Sequence, residues 1–392
     1  MTGGPRRLLL VPSAYHPNVG GIEEVTRRLA RGFRARGAEV LVVTNRWPDS
    51  TASSEEVEGI PVRRIGFHLP AASARSLARM GLRAPGSAGG FVRLVRSFRP
   101  HVLQIVGAGP NAAYVAALRP LLRTRVVLGT HGELSGDAHD VFRRSSTLRL
   151  ALRALCRSAD AVTAPSRFTL EELRDAYTVR GAAEVIPNGV DVGELAGAEP
   201  RTDLGPYVLS VGRLVPQKGF DVALRSFREL RSSHGSHRLV LAGEGPARPH
   251  LEREIERLGL QGAVVLLGSV GRDALPGLYA GAAAVVLASR REAFGLAALE
   301  AMAAGAPLVA TTVGGIPEFA PDGEAALLVP PDDPAALAAA LRRALDDSEL
   351  RERLTANASR QAASYSWERV VDRHEALYER VLARPRQPSA SS

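Results

Sequence analysis

Short, continuously apolar segments alternate along the chain with longer segments in which apolar residues recur three and four positions apart. Residues 7–11 form such an apolar run, which predicts a buried strand, and the spacing within residues 22–36 predicts a helix with one apolar side. Gly37 is a typical helix end, and residues 38–44 predict a second buried strand. The chain is therefore expected to open with a parallel β–α–β unit.

The same alternation continues through both halves of the chain. In the first half it predicts further strands at 102–106, 125–130, 161–164 and 183–186. In the second half it predicts strands at 207–211, 238–242, 263–267, 284–288 and 308–310, and helices that include 220–230 and 334–345. Continuous apolar strands predict parallel sheets covered on both faces. We therefore predict an α/β fold of two doubly wound, Rossmann-like domains that face each other across a cleft.

Changes in composition suggest the domain boundaries. The expected segments are an N-terminal Rossmann-like domain at 1–191, an interdomain linker at 192–206, a C-terminal Rossmann-like domain at 207–366, a helix at 367–383 that packs back on the first domain, and a disordered tail at 384–392. Residues 66–92 mix Gly, Ala, Ser and Arg, which predicts an irregular, mobile excursion.

The two halves of the chain differ in net charge. The net charge of +9 is the sum of +13 for residues 1–180 and −4 for residues 181–392. A basic first half favours an anionic partner, such as a phospholipid surface or an anionic substrate. No helix-turn-helix, zinc-finger or RNA-binding signature accompanies the charge, so we expect no nucleic-acid partner.

Cysteine usage and hydropathy indicate the compartment. The single cysteine, Cys156, excludes an intrachain disulfide and is expected to be a small buried residue rather than a nucleophile. No CxxC or His-rich cluster suggests a metal, and none is expected. The apolar run at 8–11 is too short for a signal peptide or a membrane span. We expect a cytoplasmic protein that rests peripherally on the inner face of the membrane.

Lys218 is the one lysine among 50 basic residues; the other 49 are arginines. It follows Arg213 by five residues on a Gly-rich turn. A lysine is a compact point charge, whereas an arginine is a flat fork of donors, and together they suit a doubly charged phosphate group. The alternative is a chance remnant of arginine-favouring codon usage.

Two carboxylates follow the predicted strand 284–288. Glu292 falls in the turn, Gly295 opens the next helix and Glu300 lies on that helix. Ligands bind at the carboxyl ends of strands in open α/β folds, where a helix carboxylate can accept ribose hydroxyls and a turn carboxylate can reach a sugar. The alternative, a solvated helix face, fits Glu300 poorly because its neighbours in sequence are apolar.

These motifs resemble a known family. Glu292 and Glu300 match the E-x7-E motif of retaining glycosyltransferases with the GT-B fold. Other motifs that match in order and spacing are Pro187-Asn188-Gly189-Val190-Asp191, Val211-Gly212-Arg213 with Lys218-Gly219, Ala242-Gly243-Glu244-Gly245-Pro246 and Gly314-Gly315-Ile316-Pro317-Glu318. The chain resembles glycosyltransferase family 4 over nearly its whole length. Its first half matches at Gly20-Gly21 and Thr130-His131-Gly132, and less elsewhere.

The resemblance implies how a nucleotide-diphosphate sugar would be bound. Arg213 and Lys218 would hold the pyrophosphate. Backbone groups would assist, at Phe294, Gly295 and Leu296 and at Gly20 and Gly21, which precede a predicted helix. By themselves the two glycines indicate only a tight turn or a close approach of backbone to a ligand.

The resemblance also implies how the sugar end would be held. Glu300 would hold the ribose, Glu292 would contact the transferred hexose, and the backbone near Val270 would meet the base. His131 would lie across the cleft near the reacting centre, with a satisfied core histidine as the alternative. No metal cofactor is implied, and UDP-sugars and GDP-mannose both remain open as donors.

The resemblance implies a retaining transfer in which the leaving phosphate takes the proton of the acceptor. Two cations and a helix N-terminus stabilise the charge that develops on the departing diphosphate. A carboxylate pair also suggests a glycosidase, but hydrolysis gives no reason for paired cations. The remaining alternatives are an NDP-sugar synthase or phosphorylase-like reaction and a catalytically silent sugar-nucleotide-binding partner protein.

The acceptor is expected to bind the basic first half and is not identified; lipid-linked, cell-envelope and secondary-metabolite precursors are all compatible. Between residues 75 and 99, six arginines alternate with Leu77, Met80, Leu82, Phe91, Leu94 and Phe98. This pattern favours contact with an anionic membrane. The alternative is a solvated face of an arginine-rich protein.

Overall fold

The computed structural model describes residues 6–18, 20–46, 48, 50–69, 74–134 and 141–385, with backbone only for 74–82, 141 and 143. The chain divides into two compact units, each built around its own sheet. The first unit comprises Met1–Pro187 and Trp367–Ser392, and the second comprises Asn188–Ser366.

The first unit is built on eight strands. They are β1 (Arg7–Pro12), β2 (Glu39–Asn45), β3 (Ser54–Val57), β4 (Ile60–Ile65), β5 (Val102–Val106), β6 (Arg125–Gly129), β7 (Ala161–Ala164) and β8 (Ala182–Val185). The sheet order is β3-β4-β2-β1-β5-β6-β7-β8, and all neighbours are parallel except β3 and β4. The order reverses between β1 and β5, which makes their carboxyl ends a topological switch point, the usual ligand position in such sheets.

Helices cover both faces of this sheet. They are α1 (Gly21–Ala35), α2 (Ala74–Phe98), α3 (Pro110–Leu118), α4 (Val141–Arg144), α5 (Ser146–Ser158) and α6 (Arg167–Ala176). Leu9 and Val11 of β1 enter one hydrophobic core with α2, α3 and α5, whereas Leu8 and Leu10 enter the core on the other face with α1. Alternate strand residues thus supply two cores, as a sheet covered on both sides requires.

The prediction of an irregular excursion at residues 66–92 is wrong from residue 74 onward, because α2 begins at Ala74, whereas residues 66–69 are neither helix nor strand. Its glycines and Pro85 lower helix propensity, but Phe91 and Val95, four positions apart, are buried against the sheet. Tertiary packing of one apolar face therefore outweighs weak local propensity. The prediction also missed the edge hairpin of β3 and β4.

The second unit repeats the pattern with six strands. They are β9 (Tyr207–Val211), β10 (Arg238–Ala242), β11 (Val264–Gly268), β12 (Ala284–Leu287), β13 (Leu308–Thr311) and β14 (Leu327–Val329). All pairs are parallel, in the order β11-β10-β9-β12-β13-β14. The chain moves outward from β9 on one side and from β12 on the other, so the switch point lies between these two strands.

Eight helices complete the second unit. They are α7 (Val192–Ala196), α8 (Phe220–Leu230), α9 (Arg248–Arg257), α10 (Leu275–Ala280), α11 (Leu296–Ala303), α12 (Ile316–Phe319), α13 (Pro334–Asp346) and α14 (Ser348–Ala363). The prediction that residues 192–206 form a linker is wrong. They begin with helix α7, and Leu195 and Leu204 are buried in the core of this unit.

The last helix, α15 (Trp367–Ala383), belongs to the first unit, where it packs on α1. Arg36, directly after α1, forms ion pairs with Asp372 and Glu375 at 2.5 and 2.6 Å, and the rings of Phe33 and Tyr378 stack with centroids 5.4 Å apart. The apolar residues of α15 join the core that α1 shares with the sheet. The tail predicted to be disordered lies outside the described residues from 386 onward.

Candidate functional site

Lys218 lies in the loop after β9, at the switch point of the second unit. It ends a single 3-10 turn, Pro216–Lys218, and the next residue, Gly219, has φ +63°. A Cβ atom at Gly219 would overlap the carbonyl oxygen of Ala288, at the end of β12. Glycine is therefore required where this turn crosses the end of β12.

Glu292 lies in the loop after the neighbouring strand β12 and contacts Lys218. The Lys218 Nζ and Glu292 Oε2 atoms are 2.5 Å apart, and the two side chains are 28% and 15% exposed. The hydroxyl of Ser289 lies 3.5 Å from the same carboxylate oxygen. The structure thus brings together two of the predicted site residues that are 74 positions apart in sequence.

Two further glycines shape the loop around Glu292. Gly314 has φ +58°, and a Cβ atom there would overlap the carbonyl oxygen of Glu292. Gly295 has φ +106°, caps the N-terminus of α11, and lies against the Glu292 side chain, with 3.5 Å between a Cβ built there and Cγ. A side chain at Gly314 would therefore collide with the backbone of Glu292, whereas one at Gly295 would crowd Ile316, whose Cγ1 atom lies 2.9 Å from the built Cβ.

Glu300 lies on α11, just beyond that helix N-terminus, and is held by two side chains that the sequence did not single out. The hydroxyl of Tyr279 donates to Glu300 Oε2 at 2.9 Å, and Arg272 lies 3.7 Å from Oε1. Burial and the adjacent carboxylate raise the pKa of Tyr279 well above its ordinary value, so it is a donor at neutral pH. Tyr279 and Arg272 thus fix how Glu300 presents its oxygens.

The other residues predicted to bind the sugar nucleotide differ in how exposed their side chains are. Val270 is partly buried and lies two residues before Arg272, which places its loop beside Glu300. Arg213 is exposed in the same loop as Lys218. Leu296 packs partly on the core, and Phe294 is buried against Phe319 with ring centroids 4.9 Å apart. For Phe294, only the backbone is therefore suited to contact a ligand.

Arg290 is a basic residue of this loop that the sequence reasoning passed over. Its guanidinium donates to the carbonyl of Pro216 at 2.7 Å, to both oxygens of Asp221 at 2.9 and 2.8 Å, and to Asp332 at 2.6 Å. Burial raises the pKa of Asp221, but the hydrogen bonds and charge of Arg290, together with the charge of Arg225 and a backbone hydrogen bond, outweigh it, and the pKa lies below its ordinary value. Nothing in the local sequence distinguishes Arg290 from its exposed neighbour Arg291.

In the first unit, His131 follows β6 and is tied to a buried carboxylate. Glu133 accepts the backbone N–H of His131 at 2.9 Å and that of Ala108, after β5, at 2.6 Å. Burial raises the pKa of Glu133 to about 7, although these N–H groups lower it in part. Burial, with a smaller effect of His374, lowers the pKa of His131 to about 4, so its imidazole is neutral at pH 7. A carboxylate two residues after the histidine was the signal that sequence reasoning overlooked.

Gly20 and Gly21 lie at the N-terminus of α1, at the switch point of the same sheet. Gly20 has an extended backbone and caps the helix. The carboxylate of Glu23 folds back toward it, with 2.8 Å between a Cβ built at Gly20 and Oε2. Ile22 packs beside Gly107 after β5, so the two glycines and the His131 loop share one edge of the sheet.

In one helical layer of the first unit, the part formed by α2, α3, α4 and α5 is basic, whereas α6 on the same core carries the exposed Glu171 and Asp175. Within 74–134 and 141–158, as far as the structure describes them, the only acidic residue is the buried Glu133. The exposed arginines on and beside α2, α4 and α5 are Arg83, Arg93, Arg96, Arg99, Arg123, Arg144, Arg149, Arg153 and Arg157. We call this surface the basic face. It also exposes Leu121 and Leu150, by 52% and 63%.

The predicted apolar side of α2 does not reach the basic face. Phe91 is fully buried, and Leu94 and Phe98 pack on the core, so the expectation that they contact a membrane is wrong. The side chains of Leu77, Met80 and Leu82, with Arg75 and Arg79, lie outside the described residues. The helix uses its described apolar side to cover the sheet.

Neither a metal site nor a membrane-spanning helix is present among the residues that the structure describes. In the described ranges, no group of three or more His, Cys, Asp or Glu side chains is arranged to hold a metal ion. Among the helices whose residues are described, none combines the length and apolarity needed to cross a bilayer.

Family models match both halves of the chain. One described as "Glycosyl transferases group 1" matches residues 195–361, and one described as "Glycosyltransferase Family 4" matches residues 19–194. A GDP-mannose-dependent alpha-(1-6)-phosphatidylinositol monomannoside mannosyltransferase of Mycolicibacterium smegmatis is 30% identical, over 87% of this chain and 89% of that protein. A D-inositol 3-phosphate glycosyltransferase of Acidothermus cellulolyticus is 29% identical, over 97% and 92%.

Solved structures share the fold at lower identity. Sucrose-phosphate synthase from Thermosynechococcus elongatus matches with a TM-score of 0.82 and 22% identity, over 96% of this chain and 99% of that one. HepE of Anabaena, crystallised with UDP-glucose, matches with a TM-score of 0.77 and 22% identity, over 95% and 99%. The predicted fold class, two Rossmann-like α/β units of the GT-B type, is confirmed.

Proposed function

The chain belongs to glycosyltransferase family 4, and from that premise we propose that it is a retaining enzyme that moves a hexosyl unit from a nucleotide-diphosphate sugar to an acceptor. The donor would be a UDP-sugar or GDP-mannose. The names of relatives support both, since one relative is GDP-mannose-dependent and a structural neighbour binds UDP-glucose. The acceptor would be a lipid-linked, cell-envelope or secondary-metabolite precursor.

The observation that carries this proposal is the position of Lys218, Glu292 and Glu300 at the switch point between β9 and β12. Lys218 and Arg213 would bind the two phosphates. Glu300, oriented by Tyr279, would accept hydrogen bonds from the ribose hydroxyls. A silent sugar-nucleotide-binding protein would have no need of a second carboxylate held 2.5 Å from the phosphate-binding ammonium.

The same residues account for the chemistry. When the bond between the anomeric carbon and the phosphate oxygen breaks, negative charge collects on the diphosphate, and Lys218, Arg213 and the N-terminus of α11 stabilise it. Glu292 would face the sugar, where positive charge develops. The acceptor hydroxyl would attack the anomeric carbon on the face that the diphosphate leaves, and its proton would pass to the leaving phosphate. No metal is expected to take part.

His131 would act in this scheme as a neutral hydrogen-bonding partner of the sugar. Its pKa of about 4 makes it a poor general acid at pH 7, because the protonated form is scarce. Glu133 would hold its loop by accepting the backbone N–H of His131. Gly20 and Gly21 would add backbone N–H groups for the donor.

Two measurements test the proposal. The first is thermal-shift screening of the full chain against UDP-glucose, UDP-galactose, UDP-N-acetylglucosamine and GDP-mannose. Donors that carry one of the two bases, uracil or guanine, should raise the melting temperature of the protein, because a ligand that binds the folded state stabilises it. With that donor and an accepted alcohol, nucleoside diphosphate should be released. Binding without release would favour the silent protein, and turnover that requires pyrophosphate or orthophosphate would favour a synthase or phosphorylase.

We propose further that the enzyme works peripherally on the cytoplasmic side of an anionic membrane, through the basic face. A general preference for arginine explains the choice of Arg over Lys, but it does not explain why the described residues of the basic face include no exposed carboxylate. Exposed leucines between arginines suit a bilayer interface, where apolar tips insert and cations meet lipid phosphates.

Vesicle flotation tests the membrane proposal. The full chain should float with anionic vesicles at low salt and be released by high salt. Arg149→Gln, Arg153→Gln and Arg157→Gln together should abolish flotation. The matched control removes three exposed arginines of the second unit, Arg253, Arg343 and Arg353, and should float normally. Equal behaviour of the two triple variants would refute a role of the basic face.

A further inference from the structure

Arg290 forms hydrogen bonds with Pro216, Asp221 and Asp332 of the second unit, although it lies outside every motif on which the family resemblance rests. It follows β12 and reaches back to the loop after β9. Besides its side-chain bonds, its backbone N–H donates to the carbonyl of Gln217 at 2.7 Å. One residue thus joins the two loops that flank the switch point.

The contacts of Arg290 surround Lys218. Pro216 and Gln217 lie immediately before the lysine, and both are bound through their carbonyls. Asp221, bound by two parallel hydrogen bonds, lies three residues after it. Internal bonds of the turn are few, with Lys218 N–H donating to Val215 at 3.0 Å and Gly219 N–H to Pro216 at 3.2 Å. Arg290 therefore ties the backbone before Lys218 and the carboxylate after it to the loop that follows β12.

Arg290 has little capacity left for a ligand. A guanidinium carries five N–H donors, and four of them are engaged: Nε with Asp332, both on Nη1 with Pro216 and Asp221, and one on Nη2 with Asp221. Two carboxylates also neutralise its charge. A phosphate would gain little from this cation, in contrast to the ammonium of Lys218.

We propose that Arg290 and Asp221 are positioning residues that hold the Pro216–Lys218 turn so that the Lys218 ammonium meets the donor diphosphate. The inference rests on the proposed function and adds residues that act through Lys218 without touching the substrate. Charge-assisted, bidentate bonds suit this task because they fix geometry as well as supply energy. The role is specific to Arg290, since the adjacent Arg291 is exposed.

The test compares the binding of diphosphates with that of nucleosides by calorimetry, using UDP and uridine, GDP and guanosine. Arg290→Gln should weaken binding of the accepted diphosphate at least 10-fold and that of its nucleoside less than 2-fold, because only the phosphates meet Lys218. Arg290→Lys should weaken diphosphate binding less than Arg290→Gln does, since an ammonium keeps the charge but has only three N–H donors at one point for the four bonds that the guanidinium makes. Arg291→Gln is the matched control and should bind as the wild type does.

A second comparison separates positioning from direct contact and from damage to the fold. In a Lys218→Ala background, Arg290→Gln should weaken diphosphate binding by less than a further 2-fold, because the group it positions is gone. An undiminished loss in that background would make Arg290 a ligand in its own right and overturn the proposal.

Asp221→Asn provides an independent variant, with the carboxylate charge removed and the shape kept. It should reproduce the selective loss of diphosphate binding. Equal losses for diphosphate and nucleoside in both Arg290→Lys and Asp221→Asn would show general disruption and overturn the positioning role. Failure of the wild-type chain to bind either diphosphate would instead refute the proposed function on which the inference rests.

Discussion

The ammonium of Lys218 and the carboxylate of Glu292 lie 2.5 Å apart at the carboxyl ends of two adjacent parallel strands. Each charge neutralises the other. A donor diphosphate would compete with Glu292 for the lysine, and its sugar would offer hydroxyls to the carboxylate in exchange. With such a donor, the pair would link donor binding to the orientation of Glu292.

Glu292→Gln should separate binding from turnover. Without the competing carboxylate, Lys218 binds a diphosphate as tightly as before or up to about 10-fold more tightly, whereas kcat falls about 100-fold or more because stabilisation of the developing positive charge is lost. Calorimetry and steady-state kinetics measure the two effects. The exposed Glu324→Gln serves as control. Loss of diphosphate affinity in Glu292→Gln would contradict the competition.

Tyr279→Phe should impair use of the donor through Glu300. Removing a hydrogen bond to a carboxylate costs about 1.5–3 kcal/mol, so we expect KM for the donor to rise about 10-fold. Tyr207→Phe is the matched control, because it removes a buried hydroxyl that donates to the carbonyl of Leu278 at 2.7 Å. Both variants should lose stability, but only Tyr279→Phe should raise KM. Equal KM values for the two variants would rule out a role in orienting Glu300.

Gly314→Ala should do more than strain a residue with positive φ, because its Cβ atom would also displace the Glu292 loop. Both Gly314 and Gly323 have positive φ, at +58° and +71°, but a Cβ atom at Gly323 meets no atom within 4 Å. Gly323→Ala should cost about 1–2 kcal/mol, as left-handed residues do, and leave kinetics unchanged. Gly314→Ala should also reduce kcat/KM about 100-fold. Chemical denaturation and kinetics of both variants provide the comparison, and similar kinetics would count against the close packing.

The first unit should lose stability in acid because of His374. This histidine of α15 is buried, and its Nδ1 atom lies 2.9 Å from the carbonyl of Val370. Burial lowers its pKa from 6.5 to about 4. The folded state thus disfavours the proton that the unfolded state accepts, so this contribution is complete above pH 6.5 and is lost as the pH falls toward 4. The difference corresponds to about 3 kcal/mol.

Thermal unfolding between pH 7 and pH 4.5 measures this contribution. His374→Gln should flatten the decline of the melting temperature, whereas His250→Gln, at an exposed site, should not. Glu133 acts in the opposite direction, because its raised pKa of about 7 favours the folded state as the pH falls from 7 to 4.5. Both variants retain Glu133, so the difference in melting temperature between His374→Gln and His250→Gln at each pH excludes the contribution of Glu133. An unchanged slope in His374→Gln would contradict the assignment.

The sequence was sufficient for the central parallel strands and for the motifs that follow them, since buried parallel strands are continuous apolar runs, but it missed β3, β4 and β14. It was insufficient where tertiary packing overrides local helix propensity. The Gly-rich sequence of α2 has low helix propensity and gives no indication that Phe91 packs on the sheet. It was insufficient also for Tyr279, because only the order of the strands brings its helix to Glu300. Arg290 and Arg291 differ in the structure alone, where one is bound by Asp221 and the other is exposed.

The central claim is that Lys218 binds the diphosphate of a sugar nucleotide. Calorimetric titration of the full chain with UDP, GDP and their nucleosides tests it most directly. We predict that Lys218→Ala weakens diphosphate binding about 100-fold and that Lys218→Arg weakens it about 10-fold, because a planar fork does not reproduce a point charge at a packed site. Nucleoside binding should stay unchanged in both variants. Diphosphate affinities within 2-fold of the wild type in both would contradict the account.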